Sequence, residues 1–163
     1  MTDQPRRQSR TLSKEHRLAL GPGIYGLLIE IRRDVTIPTG RLGAREYNRG
    51  WYVYVGSALK GISGRLQHHL RRRKRARWHV DYLLAHGELE AVVAAETHDR
   101  VECALARLLA ERFDVIPRFG SSDCRCPGHL LRSPMRSALL EATIAASRSL
   151  GCRPQLIENP RRR

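Results

Sequence analysis

Gly23–Ile31 reads GIYGLLIEI, and residues 51–57 read WYVYVGS. Both runs are rich in aliphatic, β-branched and aromatic side chains, which pack well on a pleated surface. Gly21-Pro22-Gly23 punctuates the chain and places the start of the first strand. That strand is apolar on both faces, at Ile24, Leu27, Leu28, Ile29 and Ile31, so it is expected in the middle of a sheet. In the second run, alternation puts Tyr52 and Tyr54 on one face and Val53 and Val55 on the other. A strand tyrosine is most often core filler with one hydrogen bond. The residues that follow give Tyr25 and Tyr54 a second reading.

Leu59-Lys60-Gly61-Ile62-Ser63-Gly64-Arg65-Leu66 comes directly after the second run. Gly61 and Gly64 bracket a helix start, Ser63 is a plausible cap, and a helix is predicted over about 65–73. On it Arg65, His68, His69 and Arg72 fall at i, i+3, i+4 and i+7 and share one face. Leu66 and Leu70 point elsewhere and can hold the helix on the sheet. Between the two strong strands, Arg32-Arg33-Asp34 makes a turn. Residues 35–44 (VTIPTGRLGA) read as a short edge strand broken at Pro38 and Gly40. Residues 78–86 (WHVDYLLAH) read as a short helix ended by Gly87, and residues 89–97 as a third strong strand. Residues 101–113 form the clearest amphipathic helix, with Val101, Leu105, Leu108, Leu109 and Phe113 on one side. A loop rich in Gly, Ser, Pro and Cys covers 118–131, and a further helix 135–150. The expectation is a small α/β sandwich whose antiparallel or mixed sheet has about three strands flanked by helices. Residues 1–19 read as a basic flexible arm, 20–131 as the main domain, and 132–163 as a C-terminal helix and basic tail.

Net charge is +14 over 163 residues, from 30 basic and 16 acidic side chains. The excess is arginine, which grips phosphate in a bidentate fork and stays charged. Such a balance points to a polyanion, nucleic acid before an anionic membrane. Lys60, Arg72, Arg73, Lys74, Arg75 and Arg77 are the candidates for unspecific phosphate contact. No apolar stretch reaches the roughly 18 residues of a membrane span, and the first twenty residues lack the apolar core of a signal peptide. A cytoplasmic protein without membrane contact is expected, with thiols or metal ligands rather than disulfides at Cys103, Cys124, Cys126 and Cys152. Nothing in the chain specifies an oligomeric state.

Cutting a phosphodiester requires an activated water, charge relief on the phosphate and a stabilised leaving alkoxide. The residues offer a candidate for each. Arg65, at the first turn of a helix, can clamp the scissile phosphate with help from the helix N-terminus. Tyr25 and Tyr54 are phenols, ordinarily titrating near 10; to act as a base either needs a cation nearby to lower it. Glu102 opens the long helix. A lone Glu there complements the helix dipole by default, but its carboxylate can also hold a hard cation.

In this order and spacing, Gly23-Ile24-Tyr25, Tyr54-Val55-Gly56, Arg65, His69 and Glu102 resemble the GIY-YIG nuclease family, with Val55 in place of the usual Ile. The resemblance covers roughly residues 21–131. The segments Trp78-His79-Val80-Asp81-Tyr82-Leu83-Leu84, Glu102-Cys103 and Phe119-Gly120-Ser121-Ser122-Asp123-Cys124-Arg125-Cys126 look like a little-characterised subgroup of it, also found fused to endonuclease-III-type DNA glycosylases. The resemblance implies a magnesium- or manganese-dependent endonuclease with Arg65 and His69 catalytic. Tyr25 would be the general base or water-positioner, Tyr54 would support it or contact phosphate, and Glu102 would be the single metal ligand. DNA is favoured over RNA, in repair or structure-directed cleavage. The alternatives are a non-catalytic nucleic-acid-binding module and an RNA-directed nuclease. Many family members carry an Asn near the end of the domain. Here none occurs between Asn48 and Asn159, and Asp123, Ser122 or His129 is left to substitute.

Cys124-Arg125-Cys126-Pro127-Gly128-His129 offers two thiols and an imidazole. With Cys103 or Cys152 it could make a Cys₃His zinc site, though the spacing is not a common knuckle. The plainer reading is buried thiols, with Asp123 and His129 lining the nuclease pocket.

Overall fold

A computed structural model describes residues 10–11 and 19–159. In chain order its elements are β1 (Arg10–Thr11), β2 (Gly23–Ile31), β3 (Val35–Pro38), a 3₁₀ turn (Gly40–Leu42), β4 (Ala44–Tyr47), β5 (Gly50–Ala58), α1 (Ile62–Leu70), α2 (His79–Leu84), β6 (Glu88–Glu96), α3 (Glu102–Ala110), β7 (Asp114–Val115), β8 (Leu130–Ser133), α4 (Arg136–Ser149) and β9 (Gln155–Glu158). Seven strands form one sheet in the order β1-β9-β6-β2-β5-β8-β7, and β3 and β4 pair separately. Every pairing in the large sheet is antiparallel except β1 with β9.

β2 lies between β5 and β6, as its two apolar faces require. Its alternation sorts the core into two layers. Tyr25, Leu27, Ile29 and Ile31 join Tyr52 and Tyr54 on one face, packed with Ile62 and Leu66 of α1, Val80 and Leu83 of α2, and Ile37 and Tyr47 of the β3–β4 ribbon. Ile24 and Leu28 join Val53 and Val55 on the other, packed with Leu105 and Leu109 of α3 and Leu139 and Ala142 of α4. The mixed α/β sandwich expected from the sequence is present. Its sheet is more than twice the expected width, because the short strands β1, β7, β8 and β9 extend it on both sides.

Several boundaries differ from expectation. Within the segment 35–44 only Val35–Pro38 is a strand; it pairs with β4, which has no apolar alternation, across the 3₁₀ turn as a separate ribbon. α1 begins at Ile62, not at 65, behind Gly61 at φ 118°, a left-handed conformation that favours glycine. Ser63 is therefore inside the helix, and its Oγ accepts from Leu20 N at 2.7 Å instead of capping. The helix stops at Leu70, so Arg72 lies beyond it and does not share a face with Arg65. The expected boundary at 131 falls inside β8; α4 and β9 beyond it belong to the same layers. Of the expected arm, residues 10–11 pair with β9, Ala19 is exposed, and residues 1–9 and 12–18 lie outside the described residues, as do residues 160–163 of the basic tail. Among the described residues no helix is long and apolar enough to cross a membrane.

Candidate active site

Tyr25 stands opposite Gly56 in the β2–β5 register. Its ring lies diagonally beside Tyr54, centroids 6.5 Å apart, and its hydroxyl is 3.1 Å from His69 Nε2. His69 faces the sheet with Ile62 and Leu66, so it is a buried residue of α1 and not part of an exposed basic stripe. On its far side Nδ1 lies 3.5 Å from Asp81 Oδ1, with both side chains buried. Asp81 sits in the first turn of α2. Its Oδ2 accepts from the backbone N–H groups of Arg77 at 2.8 Å and Trp78 at 3.1 Å, and from His68 Nε2 at 3.0 Å. Tyr25, His69 and Asp81 thus form a buried line from sheet to helix.

The charges along this line follow from its surroundings. Burial works against an ionised Asp81, but the His69 imidazole at 3.5 Å and hydrogen bonds from the Arg77 amide, His68 and the Trp78 amide outweigh it and hold the carboxyl well below its usual range. Burial lowers His69 despite the Asp81 contact, so its ring is neutral near pH 7. With Nδ1 turned to a carboxylate, the proton belongs on Nδ1, and Nε2 accepts from the Tyr25 hydroxyl. Burial drives Tyr25 far above a phenol's ordinary range, and the Tyr54 field adds to this; the Arg65 cation opposes both without reversing them. Burial and then the Glu102 charge likewise raise Tyr54. Neither tyrosine has the lowered pKa that a resting phenolate base requires.

Arg65 extends from α1 with its guanidinium 4.1 Å over the Trp78 ring, a cation–π seat that fixes its direction. Glu102 arrives from the other layer, at the first turn of α3. Its carboxylate meets the end of β5, where Oε2 accepts from Ser57 Oγ at 2.6 Å and Oε1 from His129 Nδ1 at 3.0 Å. Burial raises its carboxyl, but these two hydrogen bonds, with the Arg65 charge adding to them, bring it below the ordinary value. Both Glu102 and Arg65 act on both tyrosines. The helices carrying them lie on opposite faces of the sheet, and Glu102 reaches the end of β5 from the tip of α3.

Other expected site residues divide. Lys60, Arg72, Arg73, Arg75 and Arg77 are exposed in the turns flanking α1. Lys74 is not a surface phosphate contact: its Nζ donates to the carbonyls of His68 at 3.2 Å and His69 at 2.8 Å and lies 3.5 Å from Asp81 Oδ1. It closes the C-terminus of α1, where a cation is favourable. Asp123 is exposed, and its charge reaches Tyr54. His129 is buried against Glu102 and fills the place beside the carboxylate. Asn159 is bonded to Leu89 O at 2.6 Å, at the other end of β6. A groove of about 530 Å³ lined by His69, Arg71, Lys74, Asp81, Glu90 and Asn159 reaches the same far end, away from Glu102. Asp81 and Ser57 are site residues the sequence reading missed. An acid four residues after the last arginine of the run, inside the Trp78–Leu84 segment, was the available signal for Asp81; Ser57 gave none.

As a metal ligand, Glu102 fits a hard cation. It is an ionised oxygen donor, and one hydrogen bond on each oxygen leaves lone pairs free.

Residues 24–152 match the model of a family described as a domain of unknown function, DUF123. No curated protein and no solved structure matches the chain.

Proposed function

We propose that this chain, which belongs to the DUF123 family, is a metal-dependent endonuclease that hydrolyses phosphodiester bonds in DNA. The observation that carries the reading is the Tyr25–His69–Asp81 line, ending at a phenol that shares its surroundings with Arg65 and Glu102. A core tyrosine needs one hydrogen-bond partner, not an imidazole backed by a buried carboxylate and set beside a cation. The GIY-YIG resemblance and the exposed arginines at 71–77 add support.

In this reading Tyr25 acts with its proton directed to His69 Nε2, which leaves its oxygen lone pairs free to accept from an attacking water. When that water gives up its proton, the phenol proton moves to His69 and the imidazolium is stabilised by Asp81. This avoids the resting phenolate that burial forbids. Arg65 clamps the phosphate oxygens, held in direction by Trp78. Glu102 would hold Mg²⁺ or Mn²⁺, which when bound would offset charge on the phosphate and leaving oxygen. Tyr54, packed against Phe119 at 6.0 Å, supports the Tyr25 ring.

The burial of both phenols favours one competing reading, a nucleic-acid-binding module without catalysis. The deciding experiment is a cleavage panel of plasmid, branched DNA, damaged DNA and RNA in Mg²⁺. Cleavage of a DNA substrate that is lost in His69→Ala is expected. Binding without cleavage of any substrate would overturn the reading, and cleavage confined to RNA would reassign the substrate.

A further inference from the structure

Three sulfurs and an imidazole nitrogen meet where the first turn of α3 touches the loop before β8. One donor atom from each of Cys103, Cys124, Cys126 and His129 lies within 4.8 Å of the others. His129 Nε2 is 3.5 Å from Cys124 Sγ and 3.9 Å from Cys103 Sγ. A tetrahedral zinc ion, with bonds of about 2.3 Å to sulfur and about 2.0 Å to nitrogen, sets its S···N edges at about 3.6 Å and its S···S edges at about 3.8 Å. The two S···N distances stand close to that edge, and the three sulfurs lie within 4.8 Å of one another.

The imidazole is oriented independently. Its Nδ1 faces two acceptors, Glu102 Oε1 at 3.0 Å and Val55 O at 3.3 Å. That fixes the proton on Nδ1 and turns the Nε2 lone pair toward the sulfurs, the carboxylate–histidine arrangement that supports metal-ligating imidazoles. The loop is also closed by its own backbone: Ile116 N donates to Leu130 O at 2.9 Å and His129 N to Phe119 O at 2.7 Å. Cys152, the fourth cysteine, packs in the α3–α4 core.

We propose that Cys103, Cys124, Cys126 and His129 bind one zinc ion that fastens the loop to the tip of α3. The ion is structural, because four protein ligands leave it no open position. Its consequence for the site is positional. The loop carries Phe119 onto Tyr54 and Gly120 N onto His79 Nδ1 at 2.9 Å, and the His129 ligand bonds Glu102. A clamp at this point fixes the cover of Tyr54 and one hydrogen bond of Glu102 together.

The test is the metal content of the full-length protein, purified reduced and without chelator. One zinc per chain is expected in the wild type and in Cys152→Ser, falling to background in Cys103→Ser and Cys124→Ser. Cobalt added to chelator-treated wild type should give the intense visible bands of a tetrahedral site with thiolate charge transfer. The two wild-type measurements decide the matter if the serine variants fail to fold. The proposal is overturned if reduced wild type holds no zinc and takes up neither zinc nor cobalt stoichiometrically. Equal zinc loss in Cys152→Ser and Cys124→Ser would also overturn it, as would iron with sulfide in place of zinc. None of these readouts depends on cleavage.

Discussion

The Tyr25 ring occupies the space in which a side chain at Gly56 would have to begin. The two residues are directly opposed in the β2–β5 ladder, and a Cβ added at Gly56 would fall 2.6 Å from both the phenol oxygen and the carbon that bears it. The glycine of the second motif is thus the seat of the tyrosine of the first. Gly56→Ala should tilt or expel the ring and break the 3.1 Å contact with His69. Overpacking of this kind costs about 1–3 kcal/mol, read as a lowered denaturation midpoint, with a larger proportional loss of cleavage than of DNA binding. An alanine variant with wild-type stability and activity would show that the strands part without consequence.

The Tyr25–His69–Asp81 line gives a sign to the pH dependence. His69 has its folded pKa lowered by burial, whereas in the unfolded chain it titrates near 6.5. Below about 6.5 the unfolded chain therefore binds more protons than the folded one, and stability falls as pH falls. The lowered Asp81 acts in the same direction further down: its stabilisation is present above about 4 and is lost as pH drops below that value. Comparing wild type with His69→Gln between pH 7.5 and 5 isolates the first effect. The wild type should lose stability relative to the variant as pH falls, and the opposite slope would contradict a neutral, buried His69. At neutral pH His69→Ala and Asp81→Asn should each reduce cleavage by about 10²–10⁴-fold, the span of general acid–base contributions.

The basic segment after α1 should divide in function. Arg72 and Arg73 are exposed, and each phosphate they neutralise contributes about 0.9 to the slope of log affinity against log salt. Replacing both with alanine should lower that slope by about two. Lys74→Ala should leave the slope unchanged and reduce stability by about 1–2 kcal/mol, because its ammonium is committed to two α1 carbonyls and to Asp81. Salt titrations of DNA binding and thermal melts on the same three proteins separate the roles.

The division between Arg72 and Lys74 also shows what could be read in advance. The alternation of residues 51–57 placed Tyr52 and Tyr54 correctly because both faces of that strand are covered, by α1, α2 and the β3–β4 ribbon on one side and by α3 and α4 on the other. β4, β7 and β9 carry two to four residues each, too few for a period to declare itself. They are strands because a sheet edge was available to them. His69 could be placed four residues from Arg65 but not assigned to the sheet side, since that depends on where α1 lands. Asp81, twelve positions further on and in another helix, becomes the partner of His69 only through tertiary packing. The Cys/His loop was legible as a metal-ligand composition. That Cys103 and not Cys152 completes it depends on the tip of α3 meeting the loop.

Glu102 is where metal binding and phosphate grip can be told apart. In Glu102→Gln the amide oxygen can still accept from His129 Nδ1, and the amide nitrogen can donate to Ser57 Oγ, so the end of α3 should stay in place. The lost charge is the one that would hold the cation and that repels phosphate. Cleavage should therefore be abolished while DNA binding stays equal or becomes tighter, and zinc content, measured separately, should be unchanged. Arg65→Ala should lose both turnover and part of the binding, because its guanidinium is directed by Trp78 toward the phosphate site. Cleavage rates and binding isotherms on the two variants make the comparison. A Glu102→Gln protein that cuts at the wild-type rate in Mg²⁺ would leave Glu102 as the orienting partner of His129 alone and remove the catalytic cation from the mechanism.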